Sequence, residues 1–270
     1  MASFSVVSNI SSANAQAHLQ DTNANLNRAL TRLSSGFRIN FSGDDAAGLA
    51  VANAYRRDIT ILNQGVRNAN DGLSTLQIYD GAANNISTLL DRLATLATQA
   101  ASGQTSDESR VTLNQEFQDI LAEIQREASV ANVISNQGFS VFIQNTTTAA
   151  DGKISGTISA VTTTTLALNG HVITSQALAE SAVVAVASAV TVLGKAQGTI
   201  GTLQNRLNFA ISLAQSQVVN NRAAESRIRD ANIAEESANM TRYNILTQSG
   251  VAALAQANQT SSSVLQLLRG

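Results

Sequence analysis

The 270-residue chain has no cysteine, no proline and no tryptophan. Without cysteine it forms neither disulfides nor thiolate metal sites, a condition that fits any redox compartment. Without proline it has no strong helix breaker and no slow isomerisation of an X-Pro bond. That suits long helices, and it suits a chain that must be unfolded, moved and refolded quickly. Charge is scarce as well. Charged residues are 13% of the chain, about half the usual ~25%. Aromatics are 4%. The formal net charge of −2 leaves no basic field to hold nucleic acid or an anionic membrane. Ala, Ser, Thr, Asn and Gln fill the gap. Ala and Leu at helical spacing pack narrow helices closely.

The chain also lacks the marks of a catalytic or metal site. It has two histidines, His18 and His171. No H-E-x-x-H or G-x-S-x-G occurs, and Gly198-Thr-Ile-Gly201 is not followed by the Lys-Ser/Thr of a phosphate loop. No catalytic, cofactor-binding or metal residue is therefore expected. Asp44–Asp45 offers two carboxylates for a metal or acid/base pair, but such a pair after Ser42-Gly43 is expected instead to open a helix and complement its dipole. The triplet Asn145-Thr146-Thr147 matches a glycosylation acceptor, but chance explains it in a chain this rich in those residues. The start is polar, and its first basic residue is Arg28. It does not read as a signal peptide, so export would use a route without a cleaved leader. The longest apolar run, Ala182 to Leu193, is interrupted by Ser188 and Thr191 and is shorter than a bilayer span. No membrane insertion is expected.

What is present is helical spacing. Leu19, Leu26 and Leu33 lie seven apart, with Leu30 between the last two. They mark a narrow seam on a helix of roughly 30 residues. Phe37 to Gly48 breaks the pattern and reads as a non-helical connector. A second seam runs through Ile59, Leu62, Val66, Ala69, Leu73 and Leu76, then Ala83, Ile86, Leu90, Leu93 and Ala97. At ~1.5 Å per residue this helix would be about 60 Å long. Asn70-Asp71-Gly72 lies inside it, and the unbroken seam favours a tolerated glycine over a turn. Gly103 ends the helix. Thr105 to Glu108 reads as a capping box for the next one, striped by Leu113, Phe117, Ile120 and Ile124.

From Gly138 the period changes to two, at Phe139, Val141 and Ile143. Asp151-Gly152 and Asn169-Gly170 favour hairpin turns, so 138–174 is the expected β region. Helical spacing returns near Gln176 with Ile200, Leu207 and Ala214. It resumes after Asp230 with Ile233, Met240, Ile245, Val251, Leu254 and Leu265. The fold class is mainly α: a long coiled-coil-like helical rod from the N- and C-terminal halves, with a small β-hairpin region between them. Leu19 to Leu33 would lie beside Ile233 to Leu268. Alone these two helices are marginal, and they are expected to order on association.

Both ends carry recognisable signatures. Arg32-Leu-Ser-Ser-Gly-Phe-Arg-Ile-Asn40 followed by Asp44-Asp-Ala-Ala-Gly-Leu-Ala50 resembles the N-terminal signature of bacterial flagellins. Gly201-Thr-Leu-Gln-Asn-Arg-Leu207, Ala223-Ala-Glu-Ser-Arg-Ile-Arg-Asp-Ala-Asn-Ile-Ala-Glu-Glu236, Gln256-Ala-Asn258 and Leu265-Gln-Leu-Leu-Arg-Gly270 resemble the C-terminal one. The resemblance covers about 1–135 and 176–270. It implies a non-enzymatic subunit that polymerises into the extracellular flagellar filament for motility, secreted through the flagellar type III export channel. It implies a D0-like terminal domain from 1–43 with 231–270, a D1-like rod from 44–230, and no D2 or D3 insert. Leu26, Leu30, Leu33, Ile233, Met240, Ile245, Leu254 and Leu265 are the expected D0 subunit interface.

The implied partners are further copies of the chain in a helical homopolymer, hook-associated junction and cap proteins, and an export chaperone on residues near 230–270. The resemblance also points to Toll-like receptor 5, because Leu90, Arg92, Leu96, Gln99 and Glu116 match the family's receptor epitope on the rod. Asp91, Ala94 and Thr95 depart from that pattern, which carries Gln, Arg and Glu there. Arg92 would anchor a partner through its fork of donors or serve packing between subunits. The nearest rival is a hook–filament junction protein, similar at its ends. A membrane-inserting translocator lacks its long apolar segments here, and a metalloprotease insert has no room and only His171.

Overall fold

The computed structural model describes residues 9–144 and 152–269, the side chains of 261–269 excepted. Its elements are α1 (Ile10–Ser35), α2 (Ala46–Ala101), α3 (Asp107–Val130), β1 (Gln137–Phe142), β2 (Lys153–Ile158), α4 (Gln176–Arg229) and α5 (Ile233–Arg269). The protein is mainly α, as the periodicity requires. It divides into a terminal unit, Met1–Arg56 with Asn221–Gly270, and a central unit, Arg57–Asn220.

The helix α2 has 56 residues, about 84 Å at 1.5 Å each. It is longer than the apolar seam suggests, because helix begins at the Asp45 cap rather than at Ile59. Asp45 Oδ1 accepts the Gly48 N–H at 2.8 Å, which satisfies one donor of the first turn. The turn alternative at Asn70-Asp71-Gly72 is not taken.

In the central unit, one core cluster gathers Leu90, Leu93, Leu96, Phe117, Ile124, Leu166, Ile173, Val186 and Leu193. A second gathers Ile59, Leu62, Leu76, Phe139, Val141, Ile143, Ile158, Leu203 and Leu207. Each large side chain so buried contributes roughly 1.5–3 kcal/mol against the entropy of ordering it. Small residues set the spacing. Alanines 179, 182, 189 and 196 of α4 are buried in the first cluster. Over eighteen residues α4 reaches a mean hydropathy of 1.8, enough by length and composition to cross a membrane. Of that stretch 28% is buried, and its buried stripe packs on Leu90, Leu93 and Phe117.

The hairpin pairs β1 with β2 antiparallel, Phe139 opposite Gly156 and Val141 opposite Ile154. Phe139, Val141 and Ile143 point inward, and Phe142 is exposed, so the two-residue period holds. The hairpin lies on α2 where two glycines leave room. A Cβ on Gly65 would fall 1.7 Å from the Ile143 carbonyl oxygen, and one on Gly72 would fall 2.7 Å from Val141. Gly72 is therefore required by close approach, not simply tolerated.

Three local expectations are corrected. The α3 cap is Ser106, whose hydroxyl accepts the Ser109 N–H. Thr105 instead donates its hydroxyl to the Gln99 carbonyl, so the box read from Thr105 to Glu108 is one residue out of phase. Strand occupies only part of 138–174, since 159–174 is turn and irregular chain among the described residues. Asn169-Gly170 makes no hairpin. The His171 N–H returns to the Leu168 carbonyl at 3.3 Å. Gly170 has φ +84° and Asn169 is not among the positive-φ residues, the pattern of a type II turn. Asp151 and the Asn145 triplet lie outside the described residues.

Candidate interaction surfaces

Among the described residues, no three His, Cys, Asp or Glu side chains cluster as metal ligands. The informative sites are surfaces, and each unit has its own.

In the terminal unit the two signature segments dock on each other. Gly36, at φ +73°, closes α1 by donating its N–H to the Arg32 carbonyl, a left-handed cap that favours glycine. The chain then meets the end of α4. Phe37 forms an isolated bridge with Asp230. The Ala231 N–H donates to the Gly36 carbonyl at 2.9 Å, and the Arg38 N–H donates to the Arg229 carbonyl at 2.6 Å. The Arg229 guanidinium lies 4.2 Å from the Phe37 ring centroid, a cation–π contact. Asp44 Oδ2 accepts the N–H groups of Asn40 and Phe41, each at 3.1 Å. Those two bonds, chiefly Phe41 and then Asn40, hold the Asp44 carboxyl below its ordinary pKa, with smaller help from Arg32 and Arg28. The residues that define both signatures are thus the ones that build this junction.

Beyond the junction, α1 and α5 pack along a heptad seam. On α1 the sheltered positions are Ser12, Ala15, Leu19, Thr22, Leu26, Ala29 and Leu33. On α5 they are Glu236, Met240, Tyr243, Thr247, Gly250, Leu254 and Ala257. Both step by three and four. Arg32 Nη1 reaches Glu236 Oε1 at 3.2 Å. At the far end, Asn9 Nδ2 donates to the Ala257 carbonyl and Ser12 Oγ to Asn258 Oδ1, each at 2.9 Å. Among its described residues the terminal unit nevertheless buries only Ala29, Ile39, Ala52 and Glu236. Leu26, Leu33, Met240 and Leu254 are brought together on the seam and half-buried. Leu30, Ile233 and Ile245 face away from it, at 44%, 51% and 60% exposed. The Leu265 side chain lies outside the described residues.

In the central unit, Arg92 and Glu116 join α2 to α3. The Arg92 Nε donates to Glu116 Oε1 at 2.9 Å, and both side chains are about half exposed. Gln99 is exposed. Leu90 and Leu96 are corrected: they are fully buried with Phe117 and Leu193, so this fold presents neither at its surface. Sequence reasoning missed Arg110. Its guanidinium is buried and donates to the Ala100 carbonyl at 2.8 Å and the Ser102 carbonyl at 3.0 Å. It closes the carboxyl end of α2, whose last carbonyls lack helical partners. A basic residue in the first turn of α3, where the dipole disfavours it, was the available signal.

Residues 6–147 match the model of the bacterial flagellin N-terminal helical region, and 183–268 match that of the C-terminal helical region. The chain belongs to the bacterial flagellins. It is similar to a flagellin of Halalkalibacterium halodurans, 36% identical over 90% of this chain and 91% of that one. It is also similar to the flagellar filament 33 kDa core protein of Treponema phagedenis, 34% identical over 97% and 98%. The crystal structure of Bacillus cereus flagellin aligns with a TM-score of 0.49 at 26% identity, over 59% of this chain and 94% of that one. As a flagellin, the chain is a structural subunit of the extracellular bacterial flagellar filament.

Proposed function

We propose that this flagellin polymerises through its two chain ends, the outward apolar side chains of α1 and α5 being covered by neighbouring copies. The observation that carries this is the imbalance within the terminal unit. Among its described residues the helices bury only two apolar side chains, Ala29 and Ala52, and the connector a third, Ile39, yet Leu30, Ile233, Ile245, Leu246 and Val251 stand exposed. Burying such side chains between copies contributes roughly 25 cal/mol per Å². Helices this poorly buried gain most of their order from tertiary and quaternary packing. Docking onto a growing tip would therefore couple assembly to folding. The interface is heterologous, copy onto unlike face, so that it extends without closing into a ring.

In this reading, 1–43 with 231–270 form the inner, D0-like layer, and 44–230 form the D1-like rod with its hairpin. Leu26, Leu33, Met240 and Leu254 set the α1–α5 seam, and Leu30, Ile233 and Ile245 supply contacts between copies. Arg92, Gln99 and Glu116 are the accessible part of the rod epitope, for a neighbouring subunit or for Toll-like receptor 5. The export chaperone would cover α5, and the junction and cap proteins would meet the filament's two ends. The protein acts structurally, with no catalytic role, no nucleic-acid contact and no membrane insertion. Seeded growth of the purified chain, viewed by negative-stain electron microscopy, tests the reading. Long filaments are expected. Isolated particles or short rings would refute it and favour a junction protein.

A further inference from the structure

Within the terminal unit, a cavity of about 150 Å³ lies between one face of α1 and the connector that follows it. Its walls include Asn27, Arg28, Thr31 and Arg32 on the helix, and Phe41 and Asp44 across from them. Phe41 is 67% exposed, high for an aromatic in a chain with so few. Arg and aromatic side chains together dominate the energetic centres of protein interfaces.

The charges here are unevenly matched. Arg32 is taken by Glu236, and Asp44 Oδ2 is taken by two amides. Arg28 donates only a long hydrogen bond, 3.3 Å, to Asn25 Oδ1, and makes no ion pair among the described residues. Across the same unit the other acids are engaged. Asp45 lies near Arg38, Glu225 pairs with Arg56, and Asp230 accepts from Ser226. Two acids have no such partner among the described residues, Asp21 and Glu235, and both are exposed.

We infer that the Arg28–Phe41 cavity receives a carboxylate side chain, Asp21 or Glu235, from a second copy of the chain. This rests on the filament-subunit reading. The guanidinium fork supplies paired donors for a carboxylate, and the Phe41 ring shields the pair from water. The pair would act chiefly on register and rate, because complementary charge steers association and rejects misplaced partners.

The test is seeded growth of the full-length chain, followed by electron microscopy, with monomer helicity checked by circular dichroism. Failure of the parent chain to grow would refute the filament reading itself, and this inference with it. With a growing parent, Arg28→Glu is expected to slow elongation by at least an order of magnitude, and Arg28→Gln by less. Arg222→Glu, which reverses an exposed arginine on α4 of the same unit, away from the α1 and α5 faces assigned to contacts between copies, is expected to grow as the parent does. Adding Asp21→Arg or Glu235→Arg to Arg28→Glu should restore growth in one of the two double variants. Growth of Arg28→Glu at the parental rate would overturn the inference. So would a loss that neither double variant reverses, or an equal loss in Arg222→Glu. Saturation of the monomer's cavity by inorganic phosphate, with growth indifferent to Arg28, would instead place a free anion there and overturn it too.

Discussion

Replacing Glu236 with alanine should loosen the terminal unit while leaving the central unit intact. Glu236 is the one acid buried among the described residues, at 8% exposed, and its side chain meets Arg32 across the α1–α5 seam. A hydrogen bond to a charged group is worth about 1.5–3 kcal/mol. The Arg32 side chain keeps 30% of its exposure, so water replaces part of what is lost, and ~1–2 kcal/mol is the expected net cost. In a unit whose described residues bury only three apolar side chains, that is a large share of the free energy of opening. Native-state hydrogen exchange reads it directly. Amide protection in α1 and α5 should fall by a factor of about 5–30, while protection along α3 and the central part of α4 stays unchanged. An equal fall in both units would show that they open together. No fall at all would show that the ion pair contributes nothing.

Other outcomes follow from the same contacts. Gly65→Ala would push a Cβ to within 1.7 Å of the Ile143 carbonyl, forcing the hairpin off α2. A loss of about 1–3 kcal/mol is expected in denaturant titration, and unchanged stability would refute the close approach. Phe117→Ala removes a fully buried ring from the larger cluster and should cost about 3–5 kcal/mol, read the same way. Asp44 has a folded pKa below its ordinary 3.8. A depressed value means its contribution is fully present above that pH and is lost as pH falls through the folded value. Carbon NMR should show Asp44 titrating below 3.8, with the Asn40 and Phe41 amides losing protection in the same window. Titration at or above 3.8 would contradict the two hydrogen bonds.

The long helices were legible because seam residues recur by three and four over many turns, and the hairpin because Phe139, Val141 and Ile143 alternate. Asp45 was legible as a helix opening and caps α2, whereas Asp44 turns back to the Asn40 and Phe41 amides, which no spacing signals. The surface assignments were less so, for physical reasons. A seam residue such as Leu90 or Leu96 looks the same in sequence whether it packs within its own unit or against a partner. Leu30, Ile233 and Ile245 share spacing with their seam neighbours, and only the actual phase of α1 against α5 turns them outward. Thr105 and Ser106 both suit a cap, and the choice is settled outside the local pattern, where the Thr105 hydroxyl turns back to the Gln99 carbonyl. The demand for Gly65 arises from the Ile143 carbonyl, 78 residues away along the chain, which no local pattern encodes.

The central claim is that the chain ends drive assembly, and comparing the full chain with a version lacking 1–40 and 232–270 tests it most directly. Both would be seeded under identical conditions and viewed by negative-stain electron microscopy. Long filaments from the full chain and none from the shortened one are predicted. Filaments of similar length from both would contradict the account.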